Sequence, residues 1–334
     1  MTWRELGWRD DELPKEPLDE VTRREHDLPA TLRAVAGDDV RQRAVFDPSL
    51  KQFHNAYRAG DPVFDDPART SAWLAARRAA LDAVLLAVSE SPWGDSLVLR
   101  GSVLLADWFG EAAREPGDLD FVVVPRSWNI DDGRTARMLE GIAAGAARRA
   151  GIKESGAVCE GIWTYDRVPG TRMVLPWEVP GLPGGEVQLD FVFNERLPEE
   201  PEPVELACGA VVLAASPALS LAWKLLWLVS DSYPQGKDLY DAVLLAEAFD
   251  LPYALLDQVF RLAPEQPLRH PGVTMEDIAA YGNVGHEWDH FTAEYPQLSG
   301  PEEEYARRLV AALAPTFAGS PDTPRPARRG PRRP

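Results

Sequence analysis

Cysteine and histidine are scarce in this chain of 334 residues, which has two of the first and five of the second. Cys159 and Cys208 lie 49 positions apart, with no CxxC and no Cys/His spacing able to hold zinc. A disulfide framework and a structural zinc site are therefore excluded, and both cysteines are expected as buried thiols. Long apolar runs are missing too: no stretch of 18 apolar residues occurs, and the most apolar one, Leu219 to Val229, is interrupted by Lys224. That excludes a membrane-spanning helix. The first residues, MTWRELGWRDDELPKE, carry charge from the fourth position and have no apolar h-region, so the expected location is cytoplasmic. Positive charge is also in short supply. Thirty-five Lys and Arg against 53 Asp and Glu give a net charge of -18, which repels polyanions at long range and argues against broad coating of nucleic acid.

What is present is ordinary globular material, 45% hydrophobic and 26% charged, in a length of about two domains at roughly 150 residues each. The charge is uneven. Residues 1–60 carry 10 basic and 12 acidic groups, whereas residues 211–320 carry 6 and 15. The last fourteen, PDTPRPARRGPRRP, reverse the sign with five Arg against one Asp. So Pro-rich a segment cannot build a core and is expected to be disordered, either as a contact for RNA or another acidic partner or as a solubilising terminus.

Residues 1–65 mix Pro, charges of both signs and scattered aromatics, and read as an extension wrapped on the body. Apolar residues at helical spacing predict a helix over Thr70–Ser89. After the break at Pro92-Trp93-Gly94, SLVLR reads as a short buried strand (96–100), Gly101-Ser102 as a turn, and VLLADWF as a helix. The β-branched run after Asp118 predicts a strand, followed by a helix over about 134–150. Further strands are expected at 158–165, 172–179 and 186–193, an acidic surface loop at 197–205 and a strand within 206–214. Beyond Ser216-Pro217 the pattern is helical, at 218–230, 237–249, 253–262, 275–281 and 302–313. An α/β half is thus followed by an α half.

Chemistry concentrates on few residues. Asp118 and Asp120 open a strand two positions apart, so both carboxylates point to one face while Leu119 and Phe121 point to the other. Two converging like charges require a cation, and hard oxygen ligands of this kind suit Mg²⁺ shared with substrate phosphates. Asp190, between Leu189 and Phe191 in a predicted strand, must be paired or functional, because unpartnered burial of an acid costs several kcal/mol. On a strand beside the first pair it is placed to deprotonate an attacking hydroxyl. Gly101-Ser102 between strand and helix lets backbone approach a phosphate and offers unpaired amides and a hydroxyl to an anion. Lys224 stands alone among apolar helical neighbours in a chain with only five lysines; it either snorkels to water or reaches the phosphates of a nucleotide. Asp238 lies in the first turn of the next predicted helix, where the macrodipole favours an acid, and an antiparallel helix pair would bring it to Lys224.

With these segments in order, the chain resembles DNA polymerase β-type nucleotidyltransferases and, more narrowly, the nucleotidyl transferase AbiEii toxin family of type IV toxin–antitoxin systems. The resemblance rests on LVLRGSVLLADWFG with REPGDLDF, and on SPALSLAWKLLWLVSD with GKDLYDAVLL, and spans about Ser96 to Ala248. It implies an α+β nucleotidyltransferase-fold mixed sheet flanked by helices and followed by a helical domain. The divisions expected are an N-terminal extension (1–65), a nucleotidyltransferase core (66–214), a helical domain (215–316) and a basic tail (317–334). It further implies Mg²⁺ on Asp118 and Asp120, with Asp190 as the third carboxylate. Gly101, Ser102, Lys224, Asp238 and Arg114 would surround the NTP. The acceptor implied is RNA such as tRNA, and the partner a cognate antitoxin. Gly-Ser where many relatives have Gly-Gly, Pro116-Gly117 before the acids and the long N-terminal segment depart from the family pattern. A small-molecule, antibiotic-type nucleotidyltransferase and a nucleotide-binding regulator without catalysis are the competing readings.

Overall fold

The computed structural model describes residue 3 and residues 12–318, except 17, 150, 165–167, 264–271, 282–283 and 299. The basic tail beyond 318 therefore lies outside the described residues. The helices are α1 (Glu20–Glu25), α2 (Pro67–Ser89), α3 (Ser102–Phe109), α4 (Gly133–Ala147), α5 (Pro217–Ser230), α6 (Gly236–Ala248), α7 (Tyr253–Leu262), α8 (Met275–Tyr281), α9 (His286–Glu294) and α10 (Glu302–Ala318). The strands are β1 (Val40–Arg41), β2 (Ala44–Phe46), β3 (Tyr57–Ala59), β4 (Val63–Phe64), β5 (Leu97–Arg100) and β6 (Asp118–Val123), then β7 (Val158–Thr164), β8 (Val168–Trp177), β9 (Gly185–Val192), β10 (Glu202–Glu205) and β11 (Val211–Ala214).

Seven strands form one mixed sheet in the order β10-β11-β5-β6-β9-β8-β7. β11 runs parallel to β5 and β6 parallel to β9, and the other neighbours are antiparallel. The central strands are apolar on both faces, as strands covered by helices must be. Leu99, Leu119, Phe121, Leu189 and Phe191 share a core with Leu81, Val84 and Leu85 of α2 and Met138 and Ile142 of α4. Val98 and Val122 point the other way, into a second core with Leu221 and Leu225 of α5 and Leu239 and Val243 of α6. Asp118 and Asp120 share the face of Val122, as the strand period requires. The helix starts follow their local chemistry. Asp66 accepts from the Ala68 amide with Pro67 in the first turn of α2, and Ser216 accepts from the Leu219 amide with Pro217 opening α5.

The N-terminal residues form two small ribbons, β1 with β4 and β2 with β3, and Leu50 and Ala56, between β2 and β3, pack against Ile162 of the edge strand β7. The Glu160 carboxylate on β7 accepts from the Ala30 and Thr31 amides at 2.9 and 3.3 Å. At the other end Arg58 of β3 pairs with Glu294 of α9 at 3.1 Å.

Several details differ from the sequence reading. Residues 202–205, expected in a loop, form the edge strand β10, because the apolar Val211–Ala214 run offers it a pairing partner. Its two glutamates and Pro203 are tolerated on an edge. The Pro169-Gly170 pair, which falls between the strands expected at 158–165 and 172–179, lies inside β8, where a Cβ on Gly170 would come within 2.9 Å of both Ile162 and the Phe191 carbonyl. That glycine serves close strand packing. Cys159 is exposed on the outer face of the edge strand, and Cys208 is half-buried; both are free thiols, not the buried ones expected. No described helix is long and apolar enough to cross a membrane.

Candidate active site

β5 ends at Arg100 and the chain turns into α3 through Gly101, whose φ of +85° and ψ of -153° belong to a region open essentially to glycine alone. There is a second reason for glycine. A Cβ at this position would lie 2.5 Å from Asp120 Oδ2, so the turn and the β6 carboxylates are packed directly against one another. Ser102, the first residue of α3, is buried, and its hydroxyl donates to Asp118 Oδ1 at 3.2 Å. The start of α3, with its unpaired amides, thus abuts the acidic pair.

β6 and β9 run parallel with Asp120 opposite Asp190, which turns the expectation of a third adjacent acid into geometry. One oxygen from each of Asp118, Asp120 and Asp190 lies within 4.8 Å of the others. A single hard cation with oxygen ligands at about 2–2.5 Å spans such a gap, so the donor set fits Mg²⁺ or a similar ion. The electrostatics divide the three. Burial would raise Asp118, but the charges of Lys237 and Arg114 outweigh it and hold the carboxyl below its usual range. Burial and the neighbouring Asp118 and Asp190 push Asp120 up to about 7. Burial also raises Asp190, against the opposing charge of Arg172. A carboxyl that keeps its proton because it is buried beside other negative charges gives it up to a cation.

Asp190 does not stand alone. Arg172, opposite it on β8, donates from Nε to Oδ1 and from Nη2 to Oδ2, both at 2.8 Å. The Nη1 of the same guanidinium donates to Asp47 Oδ2 at 2.7 Å. Neither Arg172 nor Asp47 was picked out from the sequence. A charged residue directly before the apolar run Met173-Val174-Leu175 was the available signal for the first; Asp47, in an Asp-Pro turn, offered none.

The α5–α6 pair brings Lys224 and Asp238 together, Nζ donating to Asp238 Oδ1 at 2.7 Å. The same ammonium pairs with Asp241 at 2.9 Å, and Arg114 joins through Asp241 at 3.3 Å. All four groups are buried. Lys224 also lies 5.0 Å from the centre of the Trp227 ring. Lys224 and Arg114 are thus saturated by acids, and burial is overcome in each case by the partner charge, so both stay protonated. A different cation faces outward. Lys237, in the first turn of α6, lines a cleft of about 380 Å³ together with Asp118, Gln188, Arg114 and Tyr295. It is half-buried, and it is the first of the positive charges acting on Asp118. Its sequence signal was its rarity, one lysine in five beside the breaker Pro234-Gln235-Gly236.

A family model described as nucleotidyl transferase AbiEii toxin, type IV TA system, matches residues 83–315. No curated protein matches the sequence. Among solved structures, the fold is similar to JHP933 from Helicobacter pylori, at 14% identity and a TM-score of 0.47, covering 74% of this chain and 92% of that one. It is also similar to MenT4, a nucleotidyltransferase toxin from Mycobacterium tuberculosis H37Rv, at 16% identity and a TM-score of 0.48, covering 74% of this chain and 84% of that one.

Proposed function

This chain belongs to the nucleotidyl transferase AbiEii toxin family of type IV toxin–antitoxin systems, and we propose that it transfers a nucleoside monophosphate from an NTP to a hydroxyl of RNA, tRNA in particular, with Mg²⁺ as cofactor. The observation that carries this reading is the convergence of three carboxylates on the Gly101-Ser102 turn. Asp118 and Asp120 would hold the metal, with Asp190 beside them. When bound, the ion supplies positive charge to the phosphate oxygens as a Lewis acid.

The remaining steps belong to the protein. The Gly101-Ser102 turn and the first amides of α3 cradle the triphosphate, which suits the dipole at a helix start. Lys237 contributes the free ammonium, because Lys224 is committed to Asp238 and Asp241. Lys224, Asp238 and Arg114 then fix the start of α6, and hence Lys237, relative to the acids. The acceptor oxygen attacks the α-phosphorus in line, the bond from that phosphorus to the bridging oxygen breaks, and pyrophosphate leaves. The hydroxyl proton passes to the carboxylate of Asp190. The family supports a growth-arresting toxin neutralised by an antitoxin protein, and RNA, which must find a local patch on so acidic a chain, is the acceptor class it points to.

The test is label transfer. Purified protein, Mg²⁺ and each α-labelled NTP in turn are incubated with total cellular RNA, beside a control without RNA and an Asp118→Ala/Asp120→Ala double variant. Label reaching RNA with the wild type alone supports the reading and identifies the nucleotide. Label reaching a small hydroxylated compound and never RNA overturns the acceptor; binding of NTP with no transfer to any acceptor overturns the catalysis.

A further inference from the structure

Both oxygens of Asp190 are held by one guanidinium, and that guanidinium is itself held from a distant part of the chain. Asp47, 125 positions before Arg172, takes Nη1 at 2.7 Å. Its other oxygen accepts from the Ser49 amide at 3.0 Å and the Ser49 hydroxyl at 2.7 Å. The same hydroxyl accepts from Arg172 Nη2 at 3.0 Å. Arg172 is 3% exposed, Asp190 7% and Asp47 9%, so the charges act on one another with little water between them. Asp47 is also mechanically fixed. It caps the short turn Pro48–Leu50, whose Leu50 is fully buried against Ala56 and Ile162 of β7. This turn precedes residues 83–315, the part of the chain that matches the family.

The charge balance shows what the contact does. Arg172 shared with Asp190 alone would cancel one of the three negative charges gathered at the site and would draw that carboxylate toward β8. A second buried carboxylate on the far side of the guanidinium offsets the cancellation and fixes the direction of the fork.

We propose that Asp47 is a positioning residue of the metal centre: acting through Arg172, it orients Asp190 and restores the negative charge that Arg172 would otherwise remove, so that the N-terminal segment completes the active site. This rests on the reading that Asp118 and Asp120 bind a divalent cation with the Asp190 carboxylate beside it.

The test uses the full chain and Mn²⁺ as the probe, with affinity read by electron paramagnetic resonance and kcat and KM read separately for the NTP. Outer residues that orient metal ligands are typically worth 10–100-fold in affinity or activity. Asp47→Asn, nearly isosteric, is expected to weaken Mn²⁺ about tenfold and to lower kcat by a similar factor. KM for NTP should stay within about twofold, since the triphosphate contacts lie elsewhere, and the far-UV spectrum should not change. In an Arg172→Gln background, Asp47→Asn should have no further effect, because its route to the metal has been removed. Where Arg172→Gln does not fold, Ser49→Ala replaces it and should produce a smaller loss in the same direction. Unchanged Mn²⁺ affinity in a folded Asp47→Asn protein overturns the proposal, as does an equal loss in the Arg172→Gln background. A wild type that fails to bind Mn²⁺, or an Asp118→Asn variant that binds it equally well, overturns the metal reading itself. Binding lost in Asp118→Asn and untouched in Asp47→Asn overturns Asp47 alone.

Discussion

Asp120→Asn should make the metal-free protein more stable at pH 8 while abolishing transfer. Asp120 is raised from 3.8 to about 7 by burial and by the charges of Asp118 and Asp190. A rise of about three pKa units corresponds to about 4 kcal/mol of cost for carrying the charge at pH 8. Asp120 is only half-buried, and water that reaches it screens the repulsion, so about 2 kcal/mol is the amount expected to be recovered. The melting temperature should then rise by a few degrees. The sign follows from proton linkage. Below about pH 4 both the folded and unfolded forms are protonated at Asp120, and nothing is lost. From there to about pH 7 the unfolded chain gives up its proton while the fold retains it, so stability falls with rising pH and levels off above. The advantage of the Asn variant should therefore be absent near pH 4 and fully open at pH 8. Added Mg²⁺ should stabilise the wild type and leave Asp120→Asn nearly unmoved. Thermal denaturation from pH 4 to 8, with and without the metal, reads all of this. A variant less stable than the wild type at pH 8, or equally favoured at both ends of the range, refutes the reasoning. Asp118→Asn provides the opposite case. Its carboxyl is held below the usual range, so it contributes stability present above the ordinary Asp value and lost as pH falls through the depressed one. The same amide substitution two residues away should destabilise at pH 8.

Other consequences follow from neighbouring geometry. Gly101→Ala meets Asp120 Oδ2 and a backbone conformation closed to alanine; it should cost about 2 kcal/mol and at least 100-fold in transfer, measured by melting and turnover. Lys224→Met leaves Asp238 and Asp241 buried without their ammonium and should destabilise by about 3–5 kcal/mol. Lys237→Ala removes a half-exposed charge that favours ionised Asp118; it should destabilise by no more than about 1 kcal/mol and raise KM for NTP about tenfold, so denaturation and kinetics separate the two lysines. If RNA is the acceptor, its affinity should fall steeply between about 50 and 200 mM salt, and turnover insensitive to salt counts against it.

Local periodicity explains why so much was legible in the chain alone. Alternation put Asp118 and Asp120 on one face and Leu119 and Phe121 on the other, and these neighbours obey that rule whatever the rest of the molecule does. The Gly101-Ser102 turn, Asp190 within an apolar strand and the helical second half were readable for the same reason, since each depends on a window of a few residues. Partnerships were not readable, because they depend on which strands and helices lie side by side. The parallel register of β6 and β9 sets Asp190 level with Asp120, and the antiparallel register of β8 sets Arg172 on Asp190. The packing of α5 on α6 gives Lys224 two acids and leaves Lys237 to face the cleft. The ribbon β2–β3 carries Asp47 across 125 positions to the far side of the guanidinium. By itself, then, the sequence determined which residues carry the charges and which way each points within its own element. Only the tertiary structure decided which charges meet, because electrostatic partners are chosen by distance in space, and sequence separation says almost nothing about that distance.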